Sequence, residues 1–203
     1  MPEIQGIMNI TRRTALAALA GFISPVSAFA SPTLYRLDTR ASSVGFRFVL
    51  NGAEQKGTMP VRSAKILIDP ENLGASQVDV SVNVRGARTP FIFATKALIG
   101  PSVLNAARFP TIRFISQRVT LAPDGRLSGG ARITGQLTIR DETRTVTLDA
   151  NLYRARGSAP QDLSELQIRL TGIVKRSDFG ATGYPELVRD DVLLDILAIL
   201  RSF

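Results

Sequence analysis

The fold class follows from Gln77-Val78-Asp79-Val80-Ser81-Val82-Asn83-Val84-Arg85, where valine occupies every second position and polar side chains stand between. Successive side chains of a strand point to opposite faces, so the pattern predicts that the four valines share one face. Their β-branched side chains also favour a strand. The same alternation recurs at residues 44–50, 112–114, 133–139, 146–148 and 166–170.

These segments predict about eight or nine antiparallel strands in a single all-β domain, either a barrel or a sandwich. The length of the strands and the single connecting lid favour an eight-stranded antiparallel barrel. Asn51-Gly52 and Asp141-Glu142 are typical of tight turns between strands. Residues 192–200 are apolar on both faces, a pattern that suits either a strand or a short buried helix. A strand is the better interpretation, because all the segments before it are β. An eight-stranded barrel is wide enough to hold one small or elongated ligand.

One segment breaks the alternation. Residues 89–110 contain Pro90, Pro101 and Pro110, and their centre, residues 102–108, has helical character. The pattern predicts a short helical lid or connection between two strands.

The composition excludes several classes of site. The 203 residues contain neither histidine nor cysteine, so a Ser-His-Asp triad, a Cys-His dyad and a thiolate metal site are impossible. Carboxylates such as Asp38, Asp69 and Asp178 remain, but nothing in the sequence brings two of them together. We therefore expect that the protein is not an enzyme and that it holds neither a metal ion nor a cofactor. The net charge of +8 is spread along the strands, as at Arg47, Arg113 and Arg169, which is typical of a solvated outer face and not of a nucleic-acid site.

The first thirty residues are typical of a signal peptide. Arg12 and Arg13 precede an apolar stretch at residues 15–23 that is too short to span a bilayer. Ala28-Phe29-Ala30 supplies small residues for cleavage, so the mature domain would be residues 31–203, starting at Ser31. The arginine pair suits a twin-arginine signal as well as the general secretion route, and the two stay open. Either route predicts export from the cytoplasm, to the periplasm or to the outside of the cell, and the periplasm is the location we expect.

Five segments, in order along the chain, resemble the YceI-like family of lipocalin-fold proteins that bind polyisoprenoid lipids. They are Tyr35-Arg36-Leu37-Asp38, Ile66-Leu67-Ile68-Asp69-Pro70, Phe109-Pro110-Thr111-Ile112-Arg113-Phe114, Gly135-Gln136-Leu137-Thr138-Ile139-Arg140 and Arg176-Ser177-Asp178-Phe179-Gly180. Family members usually carry histidines where this chain has Ala41 and Leu50.

The resemblance implies a lipocalin-like barrel with a long apolar cavity. It implies a non-catalytic binding or carrier protein in the periplasm, with a quinone or polyprenol type of isoprenoid lipid as ligand. It leaves open a homodimer and transient contact with a membrane. Burial of apolar surface, about 0.8 kcal/mol per CH₂, would drive binding without any catalytic side chain.

The inward face of the strands and the connection supply the expected ligand-binding residues. We expect the lining to comprise Phe46, Phe48, Val80, Val82, Val84, Phe91, Phe93, Leu98, Leu104, Phe114, Leu137, Ile139, Leu148, Ile168 and Leu170. Ordinary core packing is the alternative for each of them. The arginines that flank the connection could meet a polar or anionic head group, or could be solvated surface residues: Arg85, Arg88 and Arg108.

The main alternative function is a non-catalytic, stress-related interaction protein that acts through its outer surface. Its barrel core would be filled, with bulky side chains meeting at the centre. The presence or absence of a cavity therefore discriminates between the two.

Overall fold

A computed structural model describes residues 33–69, 72–122, 129–159 and 162–202. The expected signal peptide, residues 1–30, and its cleavage site before Ser31 lie outside these residues. The described part contains one α-helix, α1 (Ile92–Ile99), short 3₁₀ turns and ten strands. The strands are β1 (Thr33–Leu37), β2 (Ser43–Leu50), β3 (Ala53–Met59), β4 (Val61–Ile68), β5 (Gln77–Asn83), β6 (Thr111–Leu121), β7 (Ala131–Ile139), β8 (Glu142–Arg154), β9 (Glu165–Lys175) and β10 (Asp191–Ser202).

The ten segments close into a single antiparallel barrel of eight strands, which confirms the predicted fold class. β1 and β2 both pair with β10, so together they act as one strand that is interrupted at residues 38–42. β3 and β4 likewise form one strand, broken at Pro60, that pairs with β2 and β1 in turn. From β4 the pairing runs in sequence order through β10, and β10 pairs with β1 to complete the ring.

The turns and the last segment largely agree with the predictions made from the sequence. Residues 192–200 lie in β10, so the strand interpretation is confirmed. Asn51 and Gly52 join β2 to β3 with φ of 50° and 80°, a left-handed pair that matches the twist of a hairpin. The β7–β8 turn falls one residue earlier than predicted, at Arg140 and Asp141, because Ile139 pairs with Glu142.

The connection between β5 and β6 is helical as predicted, but the helix lies earlier in the chain. α1 covers residues 92–99, and residues 102–108 form successive turns instead. Asn105 explains the difference: its φ of 47° is left-handed, and its amide donates back to the Gly100 carbonyl at 2.8 Å, so no regular helix passes through it.

The outer face of the barrel carries the basic residues, as the alternation predicted. Arg113 lies 2.6 Å from Asp79 on the neighbouring strand, and Arg169 lies 3.3 Å from Asp195. The hydrogen bonds from Arg113 hold the pKa of the Asp79 carboxyl below its ordinary value. Cross-strand pairs of this kind satisfy the charges at the surface and leave the inward face apolar.

A candidate ligand-binding cavity inside the barrel

The barrel encloses a cavity of about 540 Å³, a size typical of pockets for small molecules. Every one of the ten strands contributes inward side chains to its wall, and α1 contributes Phe93, Ala94, Ala97 and Leu98. Many of these side chains, including Val80, are only half-buried, because they face empty space and not a partner across the barrel.

One end of the barrel is filled and closed. Tyr35, Ile66, Ile68, Leu166 and Leu200 form a buried cluster where β1 meets β4, β9 and β10. The Tyr35 hydroxyl donates to the Leu163 carbonyl at 2.9 Å, and burial raises the pKa of this phenol. The cluster forms the floor of the cavity.

The other end is the mouth. Among the described residues that line the cavity, the exposed side chains are Phe93, Tyr184 and Leu187. Phe93 belongs to α1, and the other two belong to the loop between β9 and β10. The cavity therefore reaches the surface between α1 and this loop.

Main-chain hydrogen bonds join the elements around the mouth into a ring. Thr58 on β3 exchanges two hydrogen bonds of 2.9 Å with Arg88, just before α1. The Gly183 amide donates to the Ser102 carbonyl, just after α1, at 2.8 Å, and the Asn51 amide donates to the Leu187 carbonyl at 2.7 Å. The mouth is thus a continuous frame made by the β2–β3 hairpin, the connection that contains α1, and the β9–β10 loop.

The wall carries few polar side chains, namely Ser42, Arg176 and Tyr184. The Ser42 hydroxyl accepts a hydrogen bond of 2.9 Å from the Ile199 amide. Arg176 donates to the carbonyls of Ala181 (2.5 Å), Gly183 (2.7 Å), Val188 (3.0 Å) and Arg189 (3.2 Å). Its guanidinium therefore fixes the β9–β10 loop beside the mouth. The lining includes no carboxylate, and the described residues contain no cluster of three or more acidic side chains suited to a metal ion.

Sequence and structure comparisons place this barrel among known proteins. Residues 35–199 match the YceI-like domain family. The chain belongs to this family. Protein YceI of Salmonella arizonae is 30% identical to the chain over 126 residues, which cover 62% of this chain and 63% of that protein. The YceI-like chain thus matches less than two thirds of this relative's length.

Solved structures show the same fold at lower identity. BcnA of Burkholderia cenocepacia superposes with a TM-score of 0.69 at 19% identity, over 81% of this chain and 99% of BcnA. A polyisoprenoid-binding domain from Saccharophagus degradans gives a TM-score of 0.61 at 10% identity, over 84% of this chain and 99% of that domain. The predicted resemblance to YceI-like proteins is therefore confirmed.

Thirteen of the fifteen side chains that were expected to bind ligand lie on the wall of the YceI-like cavity. They are Phe46, Phe48, Val80, Val82, Phe93, Leu98, Leu104, Phe114, Leu137, Ile139, Leu148, Ile168 and Leu170. The period-two pattern found the strand members, because alternation fixes which side chains point inward.

Val84 and Phe91 do not line the cavity. Asn83 ends β5 by accepting a hydrogen bond from the Arg85 amide at 3.1 Å, and Val84 begins a 3₁₀ turn. Val84 is therefore 1% exposed and packs with Phe46, Met59 and other buried residues, not on the valine face of β5. Phe91 precedes α1, stacks on Phe93 at 5.5 Å between ring centroids, and points to solvent.

The three arginines expected to meet a head group lie outside the cavity wall. Arg85 donates to the carbonyls of Ala106 and Ala107 at 3.1 and 3.2 Å, and Arg88 donates to the Ala87 carbonyl at 2.9 Å. The guanidinium of Arg108 stacks on the Phe109 ring, 5.0 Å from its centroid. All three are exposed, and their head-group role stays a prediction.

Sequence reasoning placed Phe93, Leu98 and Leu104 on the wall but missed other wall residues outside the strands. Ala94, Ala97 and Leu98 follow the i, i+3, i+4 spacing of one helix face, which could have located α1. Tyr184 and Leu187 have no such signal, because an irregular loop has no period. Leu50, at the end of β2, also lies on the wall and keeps it apolar.

Proposed function

We propose that this protein binds a long apolar lipid of the isoprenoid type in its barrel cavity and carries it without chemical change in the periplasm. The observation that carries the proposal is the cavity itself, which is hollow, open at one end and lined almost wholly by aliphatic and aromatic side chains. The polyisoprenoid-binding domain of Saccharophagus degradans, which shares the fold, supports this class of ligand.

The lining explains why such a ligand would bind. Apolar surface removed from water contributes about 25 cal/mol per Å², so several prenyl units would offset the cost of ordering the chain. Two of the three polar side chains in the wall, Ser42 and Arg176, already have main-chain partners. The interior therefore favours the hydrocarbon part of a lipid, and any polar head group would remain near the mouth.

The cavity also weighs against the alternative function. A barrel that acts only through its outer surface needs no internal space, and close packing would fill it. Here the inward residues of β10, such as Leu194 and Ile196, stay half-buried around the open space.

Lipid extraction tests the proposal directly. The full chain is expressed in a bacterium, the protein is purified from the periplasmic fraction, and its N-terminus is measured by mass spectrometry. Organic extracts of the protein are then analysed for lipids. We expect an N-terminus at Ser31 and a stoichiometric isoprenoid. A clean extract, together with no uptake of added quinone or polyprenol, would overturn the proposed function.

A matched pair of variants on β10 controls for trivial lipid carry-over. Ala198 lines the deep part of the cavity, whereas the adjacent Ile199 does not line it. Ala198→Phe should fill the deep end and lower the amount of bound lipid, while Ile199→Phe adds a ring to the outer face and should leave it unchanged. Equal lipid content in both variants would show that the lipid is not held in the cavity.

A further inference from the structure

Most residues of α1 are apolar, yet the helix presents several of their side chains to solvent. Its sequence, residues 92–99, has only Thr95 and Lys96 as polar members, which is typical of a buried helix. Only one face is covered, however, since Ala94, Ala97 and Leu98 face the cavity. Ile92 is 77% exposed and Phe93 64% exposed, and the preceding Phe91 is 45% exposed. Exposed neighbouring side chains of this size mark a contact surface.

This apolar surface lies on the rim of the mouth. Phe93 both lines the cavity and faces solvent, and Tyr184 and Leu187 do the same on the opposite side of the opening. We call Phe91, Ile92, Phe93, Tyr184 and Leu187 the apolar rim. A partner that covers the apolar rim therefore also covers the entrance of the cavity, where the ligand must pass.

The charge around α1 has a single sign. The connection over residues 84–110 contains four basic residues and no acidic residue: Arg85, Arg88, Lys96 and Arg108. All four are exposed. The β9–β10 loop, on the other side of the mouth, has mixed charge: the exposed Asp178 and Glu186 and the half-buried Asp190 accompany Arg176 and Arg189. The uniformly basic side of the mouth is therefore that of α1. Apolar and aromatic side chains beside exposed cations are the combination by which proteins attach to the interface of an anionic bilayer.

We propose that the apolar rim docks on the surface of an anionic lipid bilayer and places the mouth of the cavity against the lipid. The proposal rests on the proposed function, because a carrier of a lipid that is insoluble in water must collect it from a membrane. Within the described residues no helix is long and apolar enough to span a bilayer. Docking through side chains at the interface would hold the protein reversibly, as a carrier requires.

A vesicle-partition experiment with a matched pair of substitutions tests this surface. Ile92 is at the rim but not on the cavity wall, and Ile173 on β9 is a similarly exposed isoleucine, at 63%, on the side of the barrel. Ile92→Glu places an acid in the first turn of α1, where the helix dipole favours it, so the helix should persist. Ile173→Glu introduces the same charge on the outer face of β9, outside the apolar rim. Lys96→Glu tests the contribution of the exposed charge.

Partition is measured by flotation of the purified protein with vesicles of phosphatidylglycerol and phosphatidylethanolamine, and with neutral phosphatidylcholine vesicles. We expect wild type to prefer the anionic vesicles. Ile92→Glu should weaken that partition about tenfold or more, because it removes an apolar side chain that the bilayer would bury and adds a negative charge that the anionic lipids repel. Lys96→Glu should weaken it less, and Ile173→Glu should leave it within about twofold of wild type.

Ligand binding in dilute detergent, without vesicles, separates this proposal from the proposed function. We expect Ile92→Glu to bind the lipid as wild type does and to extract it from vesicles more slowly. If no form binds lipid in detergent, the proposed function fails. If wild type binds lipid in detergent but does not float with vesicles, the docking proposal is overturned. It is also overturned if wild type partitions equally well to neutral vesicles, or if Ile173→Glu weakens partition as much as Ile92→Glu does. A change in oligomeric state by Ile92→Glu, with vesicle partition unchanged, would likewise overturn it.

Discussion

Truncation of Phe93 should weaken ligand binding and leave the fold nearly intact. The ring is 64% exposed, so the fold buries only about a third of it. Full burial of a phenylalanine contributes at most about 3 kcal/mol, and Phe93→Ala should therefore cost about 1 kcal/mol of unfolding free energy. Phe179, which is 1% exposed, gives the contrast, because Phe179→Ala should cost about 3–5 kcal/mol.

The effect on the ligand follows from the area that Phe93 still offers. A phenylalanine side chain has roughly 200 Å² of accessible surface, of which about 130 Å² is free at the mouth. A lipid that covers half of this area gains about 1.6 kcal/mol at 25 cal/mol per Å². Phe93→Ala should therefore raise the dissociation constant about 15-fold.

The assay is an equilibrium titration with a short-chain quinone in dilute detergent, combined with urea unfolding of the ligand-free protein. Tyr153, which is 52% exposed on β8 and away from the cavity wall, supplies the control. Tyr153→Ala should change neither quantity appreciably. An unchanged dissociation constant for Phe93→Ala would refute the assignment of the mouth, and a stability loss as large as that of Phe179→Ala would refute the burial argument.

Three further predictions concern stability. Arg176→Lys should lower the unfolding free energy by about 2–4 kcal/mol in urea titrations, because a lysine cannot reach all the carbonyls that the guanidinium satisfies. The Ser177 hydroxyl and amide both donate to Asp190, which lowers the pKa of this carboxyl, so its stabilising contribution is present above about pH 4 and is lost as the pH falls further. Asp190→Asn should therefore lower the melting temperature at pH 7 and flatten its decline in acid. Val84→Ala should cost about 2 kcal/mol by thermal or urea unfolding, and Val80→Ala less, since Val84 is buried and Val80 faces open space. Equal losses at these two valines would contradict the hollow interior.

The strands and the inward face of the site were predictable, because alternation is a local property of the backbone. Val80, Val82 and Phe46 could be assigned to the cavity from period two alone. The same pattern failed at Val84, where the side chain of Asn83 turns the chain, since a side-chain cap competes with the ladder in a way that hydropathy does not report.

The less regular elements were harder to predict. β3 has the sequence Ala-Glu-Gln-Lys-Gly-Thr-Met and shows no apolar alternation, so only its pairing with β2 reveals it. The helix was expected at residues 102–108 and lies at 92–99, because the left-handed Asn105 terminates any helix through the later segment. Neither the strand pairing of β3 nor the left-handed backbone of Asn105 is visible in the hydropathy pattern.

The sequence by itself determined the all-β class, the inward apolar face, the outward charges and the family. The first three depend on residue type and on a period of two, which neighbouring residues define together, whereas the family was indicated by the resemblance of five ordered segments. Only the tertiary structure decided that the barrel is hollow, that one end is closed by Tyr35 and Leu200, and that the other opens beside Phe93. The physical reason is that a barrel's radius follows from the number and stagger of its strands. Whether inward side chains meet across that radius, and which end a helix covers, depends on contacts between residues far apart in the chain.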